Sequence, residues 1–441
     1  MIPFFKLAVP ALLVTAILSG ATGGAAAGQV AGEAAAPLSG SSPGLTGSLL
    51  SLSEARERAL EMSPELRSAQ SDAAAAAGAL RQAGAWANPE FEVEAEEFGG
   101  DQPGWDRAEV TWSLSQRLEL FGTRGARTRA ARHGRSAAVY SADASRLDLL
   151  AEVDRRFAQA LVAQSRIESL EATDSLAAEA VRAVTALVDA GEESPIEVDR
   201  TEGERVLVAS RLQSARFEHV RALRSLAQLW GSLEPDFSGV EGSLEIVGDL
   251  PDRDSLFAAV RDLPDLQRAE ADVRRAEAEV SLSARTRLPD VVFRGGLKRF
   301  QETDEHSYVI GLTLSLPLLD RGGGALDEAR ARLSQARAEQ EATRSHIALA
   351  RATAYDALAT ALQTSRNLRE GSLLRAQAVH ESVQEGYRRG KFRLLDLIDA
   401  RRFLLEARLE YLDALHAVWS ARADLERLTG PVSTGTRGES R

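Results

Sequence analysis

The residues in this chain best able to do chemistry are carboxylates set in a regular pattern. From Glu90 the sequence runs Glu-Phe-Glu-Val-Glu-Ala-Glu. Successive side chains of an extended strand point to opposite faces. Glu90, Glu92, Glu94 and Glu96 therefore share one face, and Phe91, Val93 and Ala95 share the other. Glu109 opens a second alternating segment, and Asp290, Arg294 and Lys298 are the charged members of a third. Far along the chain, Asp396 and Asp399 follow Tyr387 and Gly390 in a stretch reading Tyr387-Arg-Arg-Gly-Lys-Phe-Arg-Leu-Leu-Asp396-Leu-Ile-Asp399. Carboxylates gathered at a narrow place make a negative field that concentrates cations and excludes anions.

Other chemistries are poorly provided for. There is no cysteine, and the only methionines are Met1 and Met62, so thiolate zinc, iron–sulfur and thioether copper sites are excluded. The six histidines, His133, His219, His306, His346, His380 and His416, share no ligand-like spacing. With soft ligands this scarce, selective metal coordination by the chain is not expected, and no cofactor is implied. No P-loop, GxSxG or HExxH stretch occurs, and Arg321-Gly-Gly-Gly324 lacks the phosphate-loop fingerprint, so an enzyme is not expected. Sixty-five acids against 53 bases leave a formal charge of −12, which argues against a nucleic-acid partner.

The elements that position these residues come twice. Ser63-Pro64-Glu65-Leu66 returns as Leu263-Pro264-Asp265-Leu266, and Asn88-Pro89-Glu90-Phe91 as Leu288-Pro289-Asp290-Val291. Val110-Thr-Trp-Ser-Leu-Ser115 returns as Ile310-Gly-Leu-Thr-Leu-Ser315, and Gly122 as Gly322. Later the offset slips by one, pairing Gly191 with Gly390. An ordered series of this kind marks a duplicated unit. Each unit reads as helix, strand, strand, long helix, helix.

In the first unit Ser51-x-x-Glu54 fits a capping box and Pro64 starts a second helix to about Ala87. Strands are expected at about 89–98 and 107–118. A proline-free run from Thr123 to Ala190 fits one helix of about 68 residues, roughly 102 Å long. Ser194-Pro195-x-Glu197 restarts a helix with serine as N-cap, proline at N1 and glutamate at N3. The second unit predicts strands at about 289–299 and 308–318 and a single helix from Ala325 to Arg388. Leu405, Leu409, Leu412, His416 and Trp419 step by four and three, the spacing of a coiled-coil seam.

The remaining segments are read as follows. Residues 1–27 resemble a secretory signal, with Lys6, an apolar run Leu7–Leu18 and Ala25-Ala26-Ala27; a membrane anchor is the alternative. Residues 28–50 form a flexible leader, 51–231 the first repeat, 232–253 a linker, 254–430 the second repeat and 431–441 a tail. Alternating segments of about ten residues on an exported chain are the signature of an outer-membrane barrel, a soluble surface hairpin being the alternative. Four strands cannot close such a barrel, and an open edge is not tolerated in lipid, so a membrane reading requires several chains to share it.

Taken together, residues 50–430 resemble the TolC family of outer-membrane efflux proteins. Asn88-Pro-Glu-Phe-Glu-Val-Glu and Leu114-Ser-Gln-Arg-Leu-Glu-Leu-Phe-Gly-Thr-Arg are similar to the cobalt–zinc–cadmium type, with Arg117 standing where that type has proline. The resemblance implies a mainly α fold with a membrane β-barrel portion: a homotrimeric 12-stranded outer-membrane barrel continued by a periplasmic α-helical barrel. It implies outer membrane lipid, a periplasmic adaptor and an inner-membrane RND-type pump as partners. The function implied is an exit duct passively conducting heavy-metal cations; a duct for organic compounds or secreted polypeptides, or a periplasmic adaptor or scaffold, are the rival readings. Tyr387, Asp396, Asp399 and Glu197 would form the periplasmic gate, and Gly191, Ser194, Gly390, Lys391 and Arg393 the adaptor-docking tips. The family's usual arginine two residues after the second glycine is Phe392 here. Glu90, Glu92, Glu94, Glu96, Glu109, Arg294 and Lys298 would face the barrel lumen.

Overall fold

The computed structural model describes residues 47–99, 104–245, 250, 252–258 and 263–430. The expected signal segment, most of the leader and the tail lie outside the described residues. The first repeat contains α1 (Leu52–Met62), α2 (Pro64–Gly84), β2 (Glu90–Glu96), β3 (Glu109–Leu118), α3 (Thr123–Asp189) and α4 (Pro195–Gln228). The second contains α5 (Arg253–Ala258), α6 (Pro264–Arg285), β5 (Asp290–Phe300), β6 (Glu305–Ser315), α7 (Gly323–Asn367), α8 (Leu374–Arg388) and α9 (Leu394–Thr429). Two further strands, β1 (Ser48–Leu50) and β4 (Phe237–Val240), pair in parallel between the repeats.

Local chemistry accounts for the boundaries. The Ser51 hydroxyl accepts from the Glu54 amide at 3.3 Å to start α1. Ser63 does the same for Leu66 at 3.4 Å, with Pro64 at the first position of α2. Gly122 and Gly322 start α3 and α7 from φ of 74° and 62°, the left-handed region where glycine is free of the Cβ penalty. Unbroken by proline, α3 has 67 residues and is about 100 Å long.

Alanine lets the helices approach closely. Buried Ala126, Ala130, Ala137, Ala144 and Ala158 line α3, and Ala271, Ala276 and Ala278 line α6. The largest core lies midway along α3, where Val153, Phe157 and Leu161 meet Leu223 and Leu226 of α4, Leu50 of β1, and Phe237 and Val240 of β4. Trp419 of α9 closes this belt, its indole N–H donating to the Leu244 carbonyl at 3.0 Å. Inside it Arg56 of α1 grips Asp154 of α3 through two hydrogen bonds of 2.7 and 2.6 Å, and the Asp154 side chain is only 8% exposed. Nearer the tips Leu170, Leu212 and Leu405 join α3, α4 and α9.

Four expectations are corrected. The leader is not flexible to its end, because Ser48–Leu50 pairs with Phe237–Val240 and the Glu241 amide donates to the Leu50 carbonyl at 2.9 Å. The 232–253 linker consequently contains a strand. The last strand runs 305–315, not 308–318, because its partner β5 is ordered to Phe300 and pairs it back to Glu305. The helix 325–388 is not uniform: Leu368–Leu373 is a π-helical turn that separates α7 from α8. Such a turn accommodates one extra residue without breaking the helix.

Candidate functional site: an amphipathic sheet and two helical tips

The sheet runs β2-β3-β5-β6, antiparallel throughout. Glu92 lies opposite Ser113, Ser113 opposite Gly296, and Arg294 opposite Ser115 and Gly311. All of these belong to one polar face. The opposite face carries Phe91, Val93, Leu114, Phe293, Leu297, Tyr308, Ile310, Leu312 and Leu314, every one of them exposed. A sheet in water turns such residues inward. Here they face out, as the wall of a membrane barrel does.

The polar face is partly neutralised. Arg294 meets Glu92 at 2.5 Å, and Lys298 pairs with Glu96 at 3.2 Å and with Glu109. The pairing also places Arg117 and Glu305 on this face, two residues that the sequence reading left out of it. Glu90, Glu92, Glu94, Glu96, Glu109, Asp290 and Glu305 then stand against Arg117, Arg294 and Lys298. Seven acids less three bases is a net −4 per chain. Arg117 lies 3.9 Å from Asp290, a loose ion pair. Glu90 and Glu94 have no cationic partner among the described residues.

At the far end of the long helices the chain reverses twice by the same turn. Gly191 (φ 76°) donates to the Val188 carbonyl and the Glu192 amide reaches back to Leu187, both at 2.9 Å. Gly390 (φ 70°) donates to Tyr387 at 2.9 Å and Lys391 reaches back to Gly386 at 2.8 Å. The charges of the two tips are opposite. Residues 183–199 carry Asp189, Glu192, Glu193, Glu197 and Asp199 and no base; residues 386–395 carry Arg388, Arg389, Lys391 and Arg393 and no acid. The asymmetry is a property of whole tips and is not carried by any single acid of the motif.

The expected gate residues are differently engaged. The Asp396 carboxylate accepts from the Arg393 amide at 2.9 Å, fixing the first turn of α9. Asp399 is exposed and only 3.5 Å from Arg402 of its own helix. Ser194 caps α4 by accepting from the Ile196 amide at 3.4 Å, one residue short of Glu197, and the Glu197 carboxylate does not return to the Ser194 amide, so the capping box expected there is replaced by a simple serine cap. The box-like carboxylate-to-amide bond sits at Asp396 instead. Tyr387 is half-buried. Burial pushes the Arg401 guanidinium below its ordinary pKa, with the Glu179 carboxylate opposing the shift. Arg401 crosses to α3 and donates to the Leu176 carbonyl at 3.0 Å. Phe392 covers Gly386 so closely that a Cβ there would fall 2.2 Å from its ring. Neither Arg401 nor the Phe392–Gly386 contact was predicted: Arg401 reaches a carbonyl 225 residues away, and Phe392 folds back across the tip turn onto the end of its own hairpin helix. Among the described residues no cluster of three or more His, Asp or Glu could hold a metal ion, and no helix is long and apolar enough to cross a membrane.

Comparison with known proteins then decides the family, whose sequence pattern matches residues 55–232 and 258–431, one match for each repeat. The chain belongs to the outer membrane efflux protein family. This efflux protein is 28% identical over 356 residues to the cobalt-zinc-cadmium resistance protein CzcC of Cupriavidus metallidurans, covering 80% of this chain and 83% of that one. It is 29% identical over 312 residues to the nickel and cobalt resistance protein CnrC of the same organism, covering 69% and 72%. Its fold matches the MtrE outer membrane channel of Neisseria gonorrhoeae with a TM-score of 0.74 at 19% identity, over 86% of this chain and 88% of that one. The CmeC outer membrane channel of Campylobacter jejuni gives 0.73 at 17% identity, over 86% and 85%. The efflux protein is thus an outer-membrane channel component, not an enzyme.

Proposed function

We propose that three copies of this chain close a 12-stranded outer-membrane barrel over a 12-helix periplasmic tunnel, and that the assembly is the exit duct of a tripartite system expelling heavy-metal cations. The observation that carries the duct is the two-faced sheet. One face is apolar and exposed, the other acidic, and both edges lack partners among the described residues. An isolated open sheet of this kind has no stable place in lipid, whereas a shared closed barrel has. The metal cargo is supported by likeness to CzcC and CnrC, named for resistance to cobalt, zinc, cadmium and nickel.

Transport through the duct is passive. The net −4 per chain on the lumenal face becomes −12 in a trimer and favours cations over anions. At the periplasmic mouth Asp399 is the exposed acid, while Asp396 serves mainly to anchor α9. Tyr387 and Glu197 are assigned to the gate at that mouth, where Arg401 ties α9 to α3 through the Leu176 carbonyl. The acidic tip around Gly191 and Ser194 alternates around the ring with the basic tip around Gly390, Lys391 and Arg393. That alternation suits docking of a periplasmic adaptor, which connects the duct to an inner-membrane RND-type pump. Recognition of the metal is assigned to those partners, because a chain without cysteine and with histidines of no ligand-like spacing is poor in soft ligands.

The test is growth of a deletion strain on cobalt, zinc, cadmium and nickel salts beside dyes, detergents and antibiotics. Metal sensitivity that the restored gene cures is the expected result. Sensitivity to organic compounds alone would keep the duct and remove the metal cargo.

A further inference from the structure

Where β3 gives way to α3 the charge of the chain changes abruptly. Residues 120–142 contain Arg124, Arg127, Arg129, Arg132 and Arg135 and no acid. Two of these arginines are committed locally. Arg124 donates to the Gly84 carbonyl at 2.6 Å and lies 4.4 Å over the ring of exposed Trp86, and Arg127 pairs with Glu119 at 2.7 Å. The other three, Arg129, Arg132 and Arg135, stand three residues apart on one face of α3, turned away from its buried Ala126, Ala130 and Ala137. All three are exposed and have no ion pair among the described residues. The neighbouring stretch of α6 passes Arg285 by Gly122 and Arg275 by Gly134, and its acids are already held, Glu277 by Arg337 at 2.9 Å and Glu279 by Arg275 at 3.5 Å.

We infer that this arginine face is a docking surface for the phosphates of anionic phospholipids in the leaflet facing the periplasm. The inference rests on the shared-barrel reading, which sets the sheet in the bilayer and α3 beneath it. From Gly122 to Arg129 and Arg132 the helix descends about 10 and 15 Å. Side chains of a helix lean toward its N-terminus, and the N-terminus of α3 is the end joined to the sheet. The long arginines therefore reach back toward the membrane. A base close to an anionic surface strengthens attachment about fivefold. Screening over a Debye length of about 8 Å leaves the three arginines worth about one such base.

The surroundings of the face favour this occupant. Trp86, between α2 and β2, and Leu120 and Phe121, between β3 and α3, are exposed just above it. Aromatic side chains gather in this way at the headgroup level of a membrane. The face is no seam between copies, because α3 packs between α2 and α6 of its own chain. It therefore looks either into the tunnel or outward. Turned inward, three arginines per chain would set nine positive charges in a trimer against the −12 of the lumenal sheet face and nearly cancel its preference for cations. Turned outward, they meet the negative surface potential of anionic lipid. Nor is the face a by-product of duplication. The second repeat has Ala329, Arg332 and Gln335 at the corresponding positions, with Asp327 and Glu328 beside them.

The test places the full-length oligomer in nanodiscs holding equal phosphatidylglycerol and phosphatidylcholine and reads, by native mass spectrometry, the ratio of the two lipids it retains. About fivefold enrichment of phosphatidylglycerol is expected for the native protein. Arg129→Gln, Arg132→Gln and Arg135→Gln together should bring the ratio to about one, whereas lysine at the same three positions should preserve it, since the attraction is to charge. Arg388→Gln with Arg389→Gln removes charge at the opposite end of the long helices and should leave the ratio unchanged. The reversal potential of the glutamine triple in a planar bilayer should match that of the native channel. Equal retention of both lipids by a native oligomer that conducts overturns the inference and leaves the shared barrel standing. Enrichment that survives in the glutamine triple also overturns it, and a raised cation preference in that variant would put the arginines in the lumen. A native protein that neither oligomerises nor conducts removes the shared barrel and this surface with it.

Discussion

Replacing Lys298 with glutamine tests the electrostatic account of the lumen. Lys298 reaches both Glu96 and Glu109, so its loss leaves two carboxylates uncompensated and takes the polar face from −4 to −5 per chain. A trimer gains three negative charges. At about 10 Å from the axis each contributes about 0.4 kcal/mol to an axial monovalent cation in water, or about 1.2 kcal/mol together. Screening in 0.1 M salt, where the Debye length is about 10 Å, reduces this to about 0.4–0.5 kcal/mol. Cations are then enriched about twofold and anions depleted about twofold, so the permeability ratio rises about fourfold. The barrel itself should survive, because exposed ion pairs contribute only about 0.2–1 kcal/mol each. The assay is the reversal potential of the purified oligomer in a planar bilayer under a potassium chloride gradient. The shift should appear near 0.1 M and vanish near 1 M, where the Debye length falls to about 3 Å. An unchanged reversal potential at low salt refutes the lumenal placement of Lys298. A shift that persists at 1 M refutes the field as its cause.

Three other outcomes follow from the helical part. Arg56→Ala leaves the buried Asp154 carboxylate without its two hydrogen bonds and should cost about 2 kcal/mol, read as a lowered midpoint of thermal or denaturant unfolding. Asp396→Ala removes the bond to the Arg393 amide and should cost about 1 kcal/mol, whereas Asp399→Ala should leave stability unchanged and weaken cation preference at low salt. Paired unfolding and reversal-potential measurements on the two variants separate these roles. Burial pushes His416 below the ordinary histidine value of 6.5, with Asp413 opposing and Arg166 adding to the shift. Its neutral form therefore supports the fold above about pH 6.5, and that support is lost as pH falls toward the lower folded-state value. His416→Leu should narrow the difference in unfolding midpoint between pH 7.5 and pH 5.5; an unchanged difference would assign the acid sensitivity to other groups.

The duplicated architecture was legible because its markers are local. Prolines at 64, 195 and 264 start helices, and glycines at 122, 191, 322 and 390 sit at turns or helix starts that need positive φ. Strict alternation gave the four strands within a few residues. What escaped the reading depends on distance in the chain. Ser48–Leu50 becomes a strand only because Phe237–Val240, nearly two hundred residues away, offers it a ladder. Arg56 and Asp154 carry no shared motif, and neither do Arg401 and the Leu176 carbonyl. The π-helical turn at Leu368–Leu373 adds one residue inside a helix, and a periodic pattern absorbs that without a visible break. At the tips the alignment of single residues hid a simpler feature, the opposite net charge of the two loops.

The bare edges of β2 and β6 also bear on how the protein reaches its membrane. A newly exported chain presents an 11-residue and a 7-residue strand edge beside an apolar wall, all competent to pair with any other strand it meets. In the proposed trimer, folding of the sheet is consequently not separable from finding two further copies and a bilayer, and its rate must climb steeply with export flux. Scarce chains would linger as prey for proteases and for mispaired aggregates, and holdase chaperones that shield the edges would become the limiting supply. A truncated or edge-blocked copy expressed beside the intact one would enter assemblies and stall them, so such an allele should act dominantly.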